Sequence, residues 1–270
     1  MSHYFKLLAL EVRRFRYILA GLLTYVLIVE ILAVAAEIRN FSKRSGLKDV
    51  TRDPSVRLDT LSFADVIGNT QRGFALAIIV PLVAIMAYVL VIWYRDWSGR
   101  HPFSYRQLMI PGGRIPLYFA KLTAILLLIF VTLAWQLFSM AGLRLEYALL
   151  TPEILKEPVI FTDAMYASEI FKLLLPLRFE DFLVHYSLGL LVLLLAFAGI
   201  LLERSYRILG IAIAVIYIIV NITLLSFSAN GFGFPLYPGE AMSVCLTIFG
   251  LEVAGAIWLS LKLITSKIAV

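Results

Sequence analysis

The sequence predicts an all-α integral membrane protein with six transmembrane helices, preceded by a short amphipathic helix at the membrane interface. Two observations carry this prediction. The 270 residues are 61% apolar and only 16% charged, and the mean hydropathy is +0.90. A soluble domain is about 45–50% apolar and about 25% charged. Because a soluble fold cannot bury so much apolar surface, this composition excludes a water-soluble globular enzyme.

Six stretches of the sequence are long and apolar enough to cross a bilayer. A hydrocarbon core of about 30 Å requires about 20 apolar residues in a helix. Strands of a transmembrane barrel would instead alternate over about ten residues. The predicted spans, which together make residues 1–270 one transmembrane domain, are 17–38, 73–94, 115–140, 182–202, 208–226 and 240–264.

Residues 1–16 precede the first span and have two faces when drawn as a helix. Tyr4, Leu8 and Val12 share an apolar stripe, and Arg13 and Arg16 lie on another side. This pattern is typical of a helix that lies in the membrane interface and leads into the first span through an elbow. The alternative is a cytoplasmic extension of the first span, whose arginines only set the topology.

Basic residues give the expected orientation. With both termini inside, thirteen of the 24 Lys and Arg residues lie at the inner side, mostly in short segments beside the spans. Such segments are where the positive-inside rule acts. We therefore expect cytoplasmic termini and outer segments at 39–72 and 141–181. The membrane in which we expect the protein is a bacterial plasma membrane.

The second outer segment contains a stretch that is too short to span. Residues 166–177 are rich in Leu, Ile and Phe and are closed by Pro176. A helix lying on the outer interface is one interpretation, and a plain connector with an apolar face is the other.

Several polar residues fall within the predicted spans. A charged group at the centre of a bilayer costs about 2.5–3.5 kcal/mol on insertion scales. These residues either line a path for a substrate or hydrogen bond between helices. The candidate path residues are Glu30, Tyr217, Asn221, Thr247 and Glu252.

The three histidines are far apart, so no metal site is expected.

The segment 95–114, between the second and third spans, has the most distinctive pattern. A charged span exit leads into a Gly-Arg-His-Pro turn at 99–102, a short mixed helix over 103–110, and a Pro-Gly-Gly break before Arg114. Phe103 and Leu108 give the short helix apolar contact points. Two rigid spans would hold such a helix at the predicted inner side. The helix would then transmit a movement of a soluble partner to the spans.

Here the chain resembles the permease subunits of type-2 ATP-binding-cassette exporters. That family has an acidic residue, a Gly, a run ending in Leu, a Pro followed by Arg, and a Lys in the next span. The chain departs from the pattern at 112–113, where Gly-Gly replaces a common Ser or Thr. The residues that match, in order, are Asp96, Gly99, Leu108, Pro111, Arg114 and Lys121.

The resemblance implies an elbow helix over 1–16 and a cytoplasmic coupling helix within 95–114. It also implies a separate nucleotide-binding ATPase subunit that carries ATP and Mg²⁺, and a second copy or a paralogue of the permease. The sequence contains no Gly-x-x-x-x-Gly-Lys-Ser/Thr loop, so we expect no nucleotide, cofactor or catalytic residue in this chain. The expected coupling residues are Asp96, Gly99, Phe103, Tyr105, Arg106, Leu108, Pro111 and Arg114.

The expected cargo is a drug, a peptide or a lipid-like molecule, and the expected surroundings are the lipid bilayer. Nucleic acid is not an expected partner, because no solvated basic domain is present. Two other functions remain open. One is a membrane sensor or assembly protein without transport. The other is an intramembrane enzyme, which would need acids and histidines converging at one depth.

Overall fold

A computed structural model of the chain describes residues 3–44, 60–97, 114–158, 161–176, 178–229 and 237–266. These residues are almost entirely helical, with a single turn of 3₁₀ helix at Glu153–Leu155. Their α-helices are α1 (His3–Arg44), α2 (Phe63–Asn69), α3 (Gln71–Trp97), α4 (Ile115–Leu150), α5 (Phe161–Ala167), α6 (Glu169–Leu174), α7 (Phe179–Tyr206), α8 (Ile208–Ala229) and α9 (Pro238–Ser266).

Six of these helices are long and apolar enough to cross a membrane, which confirms the predicted number of spans. They are α1, α3, α4, α7, α8 and α9, and each extends beyond its predicted span at one or both ends. Large apolar side chains cover their outer faces; Ile208 is 84% exposed and Leu251 is 68% exposed. Such surfaces are stable in lipid, where the helix satisfies its own backbone hydrogen bonds.

The first helix is continuous from His3 to Arg44. A separate interfacial helix over 1–16 is therefore not confirmed, and residues 3–16 extend the helix of the first span. The physical reason is local, because no Gly or Pro interrupts the chain before Gly21. Near its start, Leu7 packs against Leu117 and Ala120 of α4.

The chain divides into two compact units. The first unit contains Met1–Leu10, Ala87–Thr123 and Leu183–Val270. The second contains Glu11–Met86 and Ala124–Phe182. The candidate site residues fall into both.

In the second unit, the described parts of the predicted outer segments pack against the spans. Ser62 caps α2 by accepting a hydrogen bond from the Asp65 backbone N–H at 3.0 Å, and Asp65 accepts one from the Ser62 N–H in return. The Leu61 N–H donates to the Leu155 carbonyl at 2.8 Å. The buried core that these contacts surround contains Val34, Ile38, Leu61, Phe63, Val66, Ile67, Phe74, Met140, Leu143, Tyr147, Ala164, Met165, Phe171 and Leu175.

The apolar stretch predicted at 166–177 is divided by Ser168 between the end of α5 and the whole of α6. Phe171 is fully buried, and its ring lies edge-on to that of Phe74 with 5.0 Å between the centroids. The apolar face of this stretch thus packs on α3.

Candidate functional site

The predicted coupling residues lie mostly outside the described part of the chain. Residues 98–113 include Gly99, Phe103, Tyr105, Arg106, Leu108 and Pro111, and none of them is described. Asp96 lies in the last turn of α3, and Arg114 directly precedes α4. The coupling helix stays a prediction, but the flanks from which it would extend are defined.

Arg114 connects the start of the third span to the end of the sixth. Its Nη1 donates a hydrogen bond to the Ile264 carbonyl oxygen at 3.0 Å. Ile264 lies in the last turn of α9, where carbonyl groups have no partner within the helix. Arg114 therefore satisfies one of these carbonyls and places a cation at the negative end of the helix dipole.

Lys121 connects the third span to the second. Only 1% of its surface is exposed, and its Nζ donates to the Ile92 carbonyl oxygen of α3. The same Nζ lies 4.8 Å from the centroid of the Trp93 ring. A buried ammonium is costly unless it is paired or hydrogen bonded, so these contacts explain how Lys121 is tolerated inside the helix bundle.

A third contact connects the second span to the fourth. The Tyr94 hydroxyl of α3 donates to the Glu203 carboxylate of α7. Next to Tyr94, the ring of Trp93 meets the ring of Phe197 of α7 edge-on, with 5.3 Å between the two centroids. Both flanks of residues 98–113 are thus fastened to neighbouring spans of the first unit.

The candidate path residues are divided between the two units. Glu30 lies in the second unit, fully buried between α1 and α4. Gln136 Nε2 donates to Glu30 Oε1, and the Ser139 hydroxyl lies beside the same carboxyl. Glu30 Oε2 has no hydrogen-bond partner among the described residues. This arrangement matches the helix-to-helix hydrogen bond that was the alternative interpretation of Glu30.

Glu252 lies in the first unit, in the middle of α9. It is 5% exposed, and neither carboxyl oxygen has a hydrogen-bond partner in the part of the chain that the structure describes. The Tyr217 hydroxyl of α8 lies within electrostatic range of this carboxyl. A buried carboxyl with both oxygens unsatisfied costs stability, so it is a candidate for binding a group that the protein itself does not supply.

Two residues that were not predicted from the sequence extend this group, and we call Glu252, Tyr217, Tyr118 and Ser260 together the Glu252 cluster. Tyr118 of α4 is fully buried and lies within electrostatic range of Tyr217. Its hydroxyl also neighbours that of Ser260. The two hydroxyls do not meet the geometry of a hydrogen bond. No sequence signal marks Tyr118 or Ser260, because their position in this group depends on packing between helices that are distant in the sequence.

The side chains of the remaining two candidates donate hydrogen bonds to carbonyl groups of their own helices. The Asn221 side chain donates to the Tyr217 carbonyl oxygen at 2.8 Å, one turn earlier in α8. Thr247 is exposed and donates to the Ser243 carbonyl at 2.7 Å. Asn221 lies beside Tyr217 and so borders the cluster, whereas the Thr247 hydroxyl is used within α9.

Comparison with protein-family models, with curated proteins and with solved structures finds no match to this chain. Within the described residues, no group of three or more His, Cys, Asp or Glu side chains is arranged to hold a metal ion.

Proposed function

We propose that this chain is the transmembrane permease subunit of an ATP-driven exporter that works with a separate ATPase subunit. The observation that carries the proposal is the fastening of both flanks of residues 98–113, by Arg114 and Lys121 on one side and Tyr94 on the other. These residues flank or belong to the segment that resembles the coupling region of type-2 permeases. A second permease copy or a paralogue completes the proposed assembly.

The contacts of the two flanks provide a path by which a force on residues 98–113 would reach several spans. A force applied to residues 98–113 would reach α3 and α4 directly. Through Lys121 it would act on α3 and α4 together, and through Arg114 it would reach the end of α9. Packed side chains, hydrogen bonds and rigid helices of this kind carry energetic coupling between distant sites.

Within this proposal the cargo path passes the Glu252 cluster rather than Glu30. Both Glu252 carboxyl oxygens lack a hydrogen-bond partner among the described residues, and Tyr217 and Tyr118 add hydroxyl groups nearby. Glu30 already accepts a hydrogen bond from Gln136. Ionisable residues within membrane spans are rare and commonly mark substrate and ion pathways.

Purification of the tagged chain from its native cells in mild detergent, followed by mass spectrometry, tests the proposal. We expect a stoichiometric partner that has a Gly-x-x-x-x-Gly-Lys-Ser/Thr loop and hydrolyses ATP in the purified complex. Recovery of the chain without such a partner would contradict the proposal and favour the sensor or enzyme interpretations.

A proline substitution in the same experiment tests the coupling segment. Tyr105→Pro should disrupt the predicted helix over 103–110, because Pro removes a backbone donor and clashes with the preceding turn. We expect this variant to insert normally and to lose the ATPase subunit. The matched control is Lys48→Pro, in the predicted outer segment, which should retain it. If both variants retain the ATPase subunit equally, residues 103–110 do not form the proposed contact with that subunit.

A further inference from the structure

A tight turn joins the fourth and fifth spans. The first of these helices, α7, ends at Tyr206, and α8 begins at Ile208, so Arg207 alone connects them. Arg207 has φ of 55°, a left-handed conformation that is uncommon for a residue other than Gly. The helices are close here, because a Cβ added at Gly210 would lie 2.2 Å from the Leu202 carbonyl oxygen. The close approach of the two helices at this turn therefore requires glycine at position 210.

A cavity of about 300 Å³ lies beside this turn. Its polar lining comes from Arg204, Arg207, Glu203 and Tyr94. The Glu203 carboxylate accepts the Tyr94 hydroxyl hydrogen, so it already has a donor from within the protein. With two guanidinium groups and one carboxylate, the lining carries a net positive charge.

The other side of the cavity is aliphatic. Ile200, Ile208 and Ile211 line it. Ile208 is 84% exposed and Ile211 is 50% exposed, and both belong to the first turns of a span. Cationic and aliphatic groups therefore lie side by side at the end of two spans, where lipid headgroups meet acyl chains.

We propose that this cavity binds an anionic phospholipid, with the phosphate on Arg204 and Arg207 and the start of an acyl chain along Ile208 and Ile211. Guanidinium groups bind phosphate oxygens through charge-assisted hydrogen bonds, and basic pockets at the ends of spans recognise anionic headgroups. The site does not depend on the ATPase partner and is independent of the proposed transport function.

Native mass spectrometry of the purified full chain, with lipid added from nanodiscs, tests this site. Phosphatidylglycerol should remain bound and phosphatidylcholine should not. Arg204→Gln should weaken phosphatidylglycerol binding about fivefold, and the double variant with Arg207→Gln about thirtyfold. Arg178→Gln is the matched control, because Arg178 is exposed, pairs with Glu180 at 3.6 Å and is absent from the cavity lining; its binding should equal that of the wild type.

Three results would overturn the assignment. The first is equal retention of phosphatidylglycerol by Arg204→Gln, which keeps the Arg207 turn unchanged and so should fold. The second is equal binding of phosphatidylcholine by the wild type. The third is complete displacement of phosphatidylglycerol by millimolar inorganic phosphate, which would indicate a site for a free anion rather than a lipid.

Discussion

Arg114 donates a hydrogen bond to the Ile264 carbonyl oxygen at 3.0 Å, and this contact joins the first residues of the third span to the last turn of the sixth. The two residues are 150 positions apart in the chain. Because Arg114 directly follows residues 98–113, a force on the proposed coupling helix would reach this contact. The contact therefore joins one flank of the predicted coupling segment to the end of α9.

Removing the Arg114 side chain should destabilise the protein. A hydrogen bond from a charged donor contributes about 1.5–3 kcal/mol, and Arg114→Ala leaves the Ile264 carbonyl without that donor. We expect a lower midpoint of thermal unfolding in detergent. Arg72→Ala is the control, since Arg72 is exposed at the start of α3. Equal midpoints for the two variants would show that the contact with Ile264 does not contribute to stability.

Gly73 is required by the close approach of the first two spans. A Cβ at Gly73 would lie 2.5 Å from the Ala33 Cβ, so Gly73→Ala should cost about 1–3 kcal/mol through overpacking. The double variant Gly73→Ala with Ala33→Gly removes the clash and should recover most of this loss. Gly142→Ala, where a Cβ meets open space, should cost nothing. Lack of rescue in unfolding measurements would contradict the packing.

Glu30 and Gln136 should be energetically coupled. Glu30→Met leaves the Gln136 amide buried without its acceptor, which costs about 1–3 kcal/mol, whereas Glu30→Gln keeps an acceptor oxygen. In a double-mutant cycle, hydrogen bonds between membrane helices average about 0.6 kcal/mol. A coupling energy of zero for the Glu30 and Gln136 pair would show that the hydrogen bond does not hold the helices.

Glu252 should behave in the opposite way. Its carboxyl oxygens have no partner among the described residues, and replacing an unsatisfied buried polar group with an apolar one of similar size is neutral or stabilising. We expect Glu252→Met to leave the unfolding midpoint unchanged or to raise it. A clear fall would assign Glu252 a structural role and remove it from the proposed cargo path.

The spans were predictable because each is a local property of about 20 apolar residues. Short-range patterns also predict local structure, and the Ser62-Phe63-Ala64-Asp65 capping box marks the start of α2, although the apolar period there is weak. The continuity of α1 follows from the absence of a helix breaker before Gly21. An amphipathic stripe alone does not distinguish an interfacial helix from an extended span.

The partners of the polar residues were not predictable. Gln136 lies 106 residues from Glu30, and no sequence signal indicates that these two side chains meet. The place of Tyr118 in the Glu252 cluster was equally unpredictable, because it results from the packing of helices that are distant in the chain. Lys121 was selected through the family resemblance, but its contacts with Ile92 and Trp93 became apparent only from the packing.

Site-specific photocrosslinking tests the central claim most directly. A photoreactive phenylalanine analogue at position 105 lies in the predicted coupling helix, and one at position 166 replaces an exposed tyrosine of α5. In native membranes we predict a crosslink from position 105, and not from position 166, to a protein that has a phosphate-binding loop. The absence of that adduct at position 105 in a normally inserted protein, or an equal yield at position 166, would contradict the account.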